Sequence, residues 1–133
     1  MSARSARDVW AVGTNFGSVQ RWNGKVWKLV KYPRSGGPAF LTGIDATAST
    51  GYTWFAGFYD PGSAKETTFV DRYLNGHWDE TPIIEVGTWG TAADIIAPVP
   101  NSADLWAVGS YSDSDQFHSY NLAELWSCPS GAR

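Results

Sequence analysis

Apolar positions in this chain come in short runs, and the runs repeat. Asp8-Val9-Trp10-Ala11-Val12-Gly13 lines up with Tyr52-Thr53-Trp54-Phe55-Ala56-Gly57 and with Asp104-Leu105-Trp106-Ala107-Val108-Gly109. Each copy carries Trp-X-X-Gly inside an apolar stretch. A second run follows each one: Val19-Gln20-Arg21-Trp22, Val70-Asp71-Arg72-Tyr73 and Ala123-Glu124-Leu125-Trp126. In the first two copies Asn-Gly comes next, at Asn23-Gly24 and Asn75-Gly76, and then Trp27 and Trp78. Asn-Gly is a preferred two-residue hairpin turn, because both residues tolerate positive φ. No segment places apolar residues at i, i+3, i+4 and i+7, so a helical repeat fails.

The Trp-X-X-Gly copies stand 44 and 52 residues apart. That period suits the four-stranded blades of a β-propeller. With the strands of a blade called A to D from the inside outward, B is the Trp-X-X-Gly run and C the second run. Asn-Gly then joins C to D. Strand D covers residues 26–31 and 78–84, and strand A covers residues 40–48 and 92–97. Nothing before Asp8 reads as strand A of the first blade, and nothing after Trp126 reads as strand D of the third. The expectation is an all-β fold of about three blades, ten strands in all, in one partial propeller domain over residues 1–133. Its repeats run at approximately 8–34, 38–85 and 88–128. Closed propellers have about 4 to 8 blades. The ring is therefore expected to be completed by further copies of the chain or by a larger parent chain.

Composition agrees with many short strands. Hydrophobic residues make up 43% and charged residues 17%, which is not a disordered composition. Eight Trp favour strands and large buried areas. Fourteen Gly and seven Pro supply turns. The net charge of −3, with no cluster of Lys and Arg, argues against nucleic acid as a partner. No apolar run is long enough for a membrane span, and the polar residues 1–8 do not read as a signal peptide. As written the chain is expected in the cytoplasm. The single Cys128 excludes an internal disulfide and a Cys-X-X-Cys site.

The sequence resembles a family of long bacterial proteins, many of them secreted or at the cell surface. These carry repeats of Asp-Val-Trp-Ala-Val-Gly, a short loop, an apolar strand ending in Trp-Asn-Gly, and a further Trp. Residues 8–27 match that pattern closely, and residues 104–109 match its opening. Tyr52 replaces the Asp of the pattern, and no Trp-Asn-Gly turn follows Trp126. The resemblance implies propeller blades related in shape to kelch and sialidase-type propellers, and a secreted or surface location. The sialidase Asp-box is absent. The family implies no activity, so fold-level analogy is its only functional guide.

Trp10, Trp54 and Trp106, with Gly13, Gly57 and Gly109, recur at fixed positions and are expected to form the repeat core. Trp22, Tyr73 and Trp126 lie nearer turns, where aromatic faces can stack on sugar rings. Trp89 lies off the repeat pattern and is a ligand-contact candidate. Tyr59 and Tyr111 open the two longer B–C loops, residues 58–66 and 111–118, and longer loops on one face of a repeat array often bind. Asp113-X-Asp115 is half a calcium loop without its Gly and distal Glu, so a solvated acidic loop is the better reading. Only His77 and His118 could serve a Ser-His-Asp triad, and no Gly-X-Ser-X-Gly elbow exists. No carboxylate pair stands out for glycoside hydrolysis.

The reading is a non-enzymatic binding module without cofactor, with glycans as the favoured ligand class. A structural or protein-interaction segment of a larger surface protein is the alternative. A fragment of a glycoside-processing propeller is the third reading.

Overall fold

The structure, a computed structural model, describes residues 1–13, 18–33, 39–46, 50–59, 67–80, 90–102, 104–113 and 118–127. It contains eleven strands in chain order: β1 (Ser2–Ser5), β2 (Asp8–Gly13), β3 (Ser18–Trp22), β4 (Trp27–Val30), β5 (Ala39–Asp45), β6 (Thr53–Tyr59), β7 (Thr67–Leu74), β8 (His77–Glu80), β9 (Gly90–Pro98), β10 (Leu105–Ser112) and β11 (Ser119–Trp126). They form three antiparallel meanders, β1-β2-β3-β4, β5-β6-β7-β8 and β9-β10-β11. No helix appears among the described residues, and so none long and apolar enough to cross a membrane.

The three Trp-X-X-Gly runs are β2, β6 and β10, each paired on one side with the second run of its copy. The turn chemistry acts as expected at Asn75-Gly76, where both residues have positive φ, 51° and 92°. Gly24 also has φ of 92°. There Asn23 uses its side chain: Oδ1 accepts from the Lys25 and Val26 amides. That makes a four-residue connection rather than a two-residue one. Strand D of the second copy is described only as β8; residues 81–84 lie outside the described residues.

One expectation is corrected. The first sheet does have a strand before β2: β1 pairs with it antiparallel, Ser2 opposite Trp10 and Ala3 opposite Val9, with an irregularity between Ala3 and Ser5. The first sheet is therefore four-stranded, and the described residues form eleven strands rather than ten. Ser2-Ala3-Arg4-Ser5 lacks apolar character because polar anchors hold it. Ser2 Oγ accepts from the Ala46 amide, and Arg4 donates to the carbonyls of Gly51 and Tyr52 and to Thr53 Oγ1.

Period-two alternation gives each sheet two faces. Trp10 and Val19 from the first sheet pack with Leu41, Phe55 and Phe69 from the second. Trp54, Ala56 and Val70, from the opposite face of the second sheet, pack with Ile96, Leu105 and Ala107 from the third. The second sheet is thus covered on both faces, and the sheets stack in chain order. We call the face carrying the repeat Trp the front of each sheet and the opposite one the rear; each covered front lies on the rear of the next sheet. β1 and β2 pack on β5, and β9 packs across β5, β6 and β7.

Trp106 departs from expectation. Trp10 and Trp54 are 1% and 2% exposed, whereas Trp106 is 45% exposed. The register is not at fault: Trp106 lies opposite Leu125 as Trp10 lies opposite Arg21 and Trp54 opposite Arg72. The reason is the stack. Trp106 points to the front of the third sheet, on which no further sheet lies among the described residues.

Charged groups brace the first sheet. Asp8 pairs with Arg4 and Arg21, each at 2.8 Å. Partial burial pushes the Asp8 carboxyl up, but the two guanidiniums outweigh it and hold it below its ordinary value. A carboxyl whose folded pKa is depressed stabilises the fold above its unfolded pKa, and loses that contribution as pH falls through the folded value. Wild type should therefore lose stability relative to Asp8→Asn as pH falls below about 3.8. The partners are partly exposed, so the difference at neutral pH should be about 1 kcal/mol or less. Denaturation midpoints of both proteins across that window, at low and high salt, check this. In the second copy Tyr52 replaces the Asp, and Arg72 lies over the Tyr52 ring at 4.7 Å instead.

Asp71 is fully buried and accepts from the Tyr32 hydroxyl, which reaches it from the chain following β4. Tyr32 also meets Trp78 edge-on, with centroids 5.0 Å apart. Tyr32→Phe keeps the ring and removes the hydrogen bond. It should cost about 1–3 kcal/mol, the range for taking a partner from a buried polar group, measured by urea denaturation. A loss below about 0.5 kcal/mol would show that this contact contributes little to the first interface.

Candidate functional site

The loop end of the third sheet gathers the exposed polar and aromatic groups. β10 and β11 run in unbroken register to their shared end, where Tyr111 lies opposite Tyr120 and Ser112 opposite Ser119. The two Tyr rings stack at 5.2 Å with an interplanar angle of 25°. Tyr120 is 45% exposed. One step further along the ladder, the Ser112 and Ser119 hydroxyls are 3.3 Å apart. Asp113 and His118 flank them, half-buried and exposed respectively. A β-hairpin end fixes this group rigidly: directly opposed residues share a face, and the next pair points to the other side.

Chemically the Tyr pair offers an aromatic platform on one face, with the Asp113 carboxyl and the His118 imidazole next along the strand ends, while the two Ser hydroxyls lie on the opposite face. Such a platform suits the apolar face of a pyranose, with its ring hydroxyls meeting the polar groups. Among the described residues, no group of three or more His, Cys, Asp or Glu side chains is placed to hold a metal ion. Asp115 lies outside the described residues.

A second aromatic surface covers the rear of the first sheet. Trp22 and Trp27 are paired, with ring centroids 5.9 Å apart, and Trp22 Nε1 donates to the Ala6 carbonyl. Trp27 is 44% exposed. Beside them a hollow of about 160 Å³ is lined by Ala11, Val12, Gly13, Ser18, Gln20 and Trp27.

The structure distributes the other candidates differently. Tyr73 sits between Trp10 and Trp78, at 5.2 and 5.0 Å, inside the first interface. Trp126 packs against the cluster around Trp54. Both are packing residues here, while their repeat counterpart Trp22 lies on the open rear face. Tyr59 ends β6 opposite Ala39, in the place that Tyr111 occupies in the third copy. Trp89 lies outside the described residues. Burial pushes the Glu124 carboxyl up, because its place on β11 faces the second sheet.

Tyr120, Ser112 and Ser119 were not singled out by motif, and Trp27 was read only as part of the repeat. Tyr120 was within reach of the sequence. Counting outward from the Trp106–Leu125 pair brings Tyr120 opposite Tyr111, once the two strands are taken as an unbulged hairpin. No family model matches this sequence, and no curated protein matches it.

Proposed function

We propose that this chain is a non-enzymatic binding module built from β-propeller blades, and that glycans are bound at the Tyr111–Tyr120 end of the third sheet. Three meanders stacked front to rear, each with the same sequence run as its second strand, support the blade reading. The single observation behind the ligand reading is the stacked, half-open tyrosine pair at the end of the β10–β11 ladder. Stacking on the two rings holds the sugar.

A glycan array with the labelled chain tests the reading. Wild type should retain a restricted set of glycans, and Tyr120→Ala should weaken retention at least tenfold while leaving circular dichroism unchanged. An array without retained glycans would remove the ligand class. Retention unchanged by Tyr120→Ala would remove the site. Release of a chromophore from chromogenic glycosides would replace binding by hydrolysis.

A protein-interaction role is the second reading. The observation favouring it is the apolar front of the third sheet, where Trp106, Val108 and Leu125 are all exposed.

A further inference from the structure

We infer that the open front of the third sheet docks on the open rear of the first sheet of a second copy of this chain. The two open faces are the unlike halves of one contact that the molecule already makes twice. In each existing contact a repeat Trp lies on the rear face of the next sheet. There it meets the aromatic residue of that sheet's C strand: Trp10 meets Tyr73 at 5.2 Å, and Trp54 shares its cluster with Trp126. The one repeat Trp left over is Trp106, and the one C-strand aromatic left over is Trp22.

The match extends beyond those two residues. The rear of the third sheet receives Trp54 on Leu105, Ala107 and Trp126. The rear of the first sheet presents Val9, Ala11 and Trp22 at the same register positions, Val9 opposite Trp22 as Leu105 is opposite Trp126. The Ala that leaves room for the incoming indole is therefore repeated at Ala11, where the hollow of about 160 Å³ opens. On the other side, the front of the second sheet pairs Ala56 with Val70, and the front of the third pairs Val108 with Ala123. The same two side chains are exchanged between strands, so the volume offered is unchanged. Leu125 stands where Arg72 stands, which makes the uncovered front more apolar than the covered one.

This fit selects a sheet of the same repeat and not a generic apolar partner. A contact between unlike faces is heterologous, so it closes into a ring or extends head to tail. Two copies would stack six sheets, a number within the usual range of closed propellers.

Sedimentation equilibrium decides it, using wild type, Trp106→Glu on the front and Ala11→Arg on the rear. Wild type is expected to associate, as a dimer if the ring closes. Each variant alone should be monomeric, because every contact it could make contains one damaged face. An equimolar mixture should recover a dimer, since an intact front on one variant meets an intact rear on the other. Circular dichroism checks folding; Leu125→Glu and Trp27→Arg, at positions 50% and 44% exposed, replace either variant that fails to fold. A monomeric wild type, variants that still associate, or a mixture that stays monomeric would each overturn the inference. The glycan array reads a different surface, so failure of either result leaves the other standing.

Discussion

Trp10→Ala and Trp54→Ala should each lose about 3–5 kcal/mol of stability, while Trp106→Ala should lose about 1 kcal/mol or less. All three residues stand at one position of the repeat, so sequence alone assigns them one effect. Their surroundings differ. Trp10 is covered by Phe55 and Tyr73, with ring centroids at 5.8 and 5.2 Å, and Arg21 lies over its face at 5.0 Å. Trp54 fills the second interface with Ala56, Val70, Ile96, Leu105 and Ala107, and Arg72 lies over it at 5.7 Å. Truncating either leaves a cavity between two sheets and strands the partner rings. Trp106 gives up less burial on truncation, being 45% exposed, and leaves no cavity between two sheets. Folded domains are stable by only about 5–15 kcal/mol, so the first two variants should unfold at clearly lower urea. The comparison must be made at a concentration where the chain is monomeric. Equal, large losses at all three positions would mean that the front of the third sheet is covered within one molecule.

Gly57→Ala should be severely destabilising and Gly13→Ala close to neutral, although both are the Gly of Trp-X-X-Gly. A Cβ on Gly57 would lie 2.0 Å from the Phe40 carbonyl oxygen and 2.9 Å from Phe69 Cζ. The oxygen belongs to the neighbouring strand, beside the irregularity between Leu41 and Gly43. It cannot retreat without breaking the β5–β6 ladder. Overpacking typically costs about 1–3 kcal/mol and occasionally more; a clash with backbone in a sheet buried on both faces belongs at the top of that range. At Gly13 the nearest atom is Ser18 Cβ at 3.6 Å, an ordinary contact. That substitution should change stability by about 0.5 kcal/mol or less. Urea denaturation of both variants checks the contrast. A tolerated Gly57→Ala would show that β5 and β6 separate more easily than their register implies.

Local chemistry made much of the fold legible. The Trp-X-X-Gly runs are strands because β-branched and aromatic residues suit a pleated surface. Asn75-Gly76 turns where it should, because its neighbours already form the two strands of a hairpin. The candidate site was legible only in part. Tyr111 was singled out as the first residue of a long loop, but β10 continues through it to Ser112, and both it and Tyr120 acquire their place through cross-strand pairing. β1 escaped notice because a strand held by side-chain anchors to other sheets carries no apolar alternation of its own.

By itself the sequence determined the repeat, its strands and turns, and which residues share a face, since alternation at period two is a property of the extended chain. The tertiary structure alone decided which faces are covered. Trp10, Trp54 and Trp106 have the same local geometry, and burial depends on whether another sheet lies against them. That is a matter of stacking order, which residues far apart in the chain set together. The same order turned Tyr73 and Trp126 into interface packing and left Trp22 on an open surface. It also left no room for a side chain at one repeat glycine, because the Phe40 carbonyl of a neighbouring strand approaches Gly57 at a distance that no local pattern encodes.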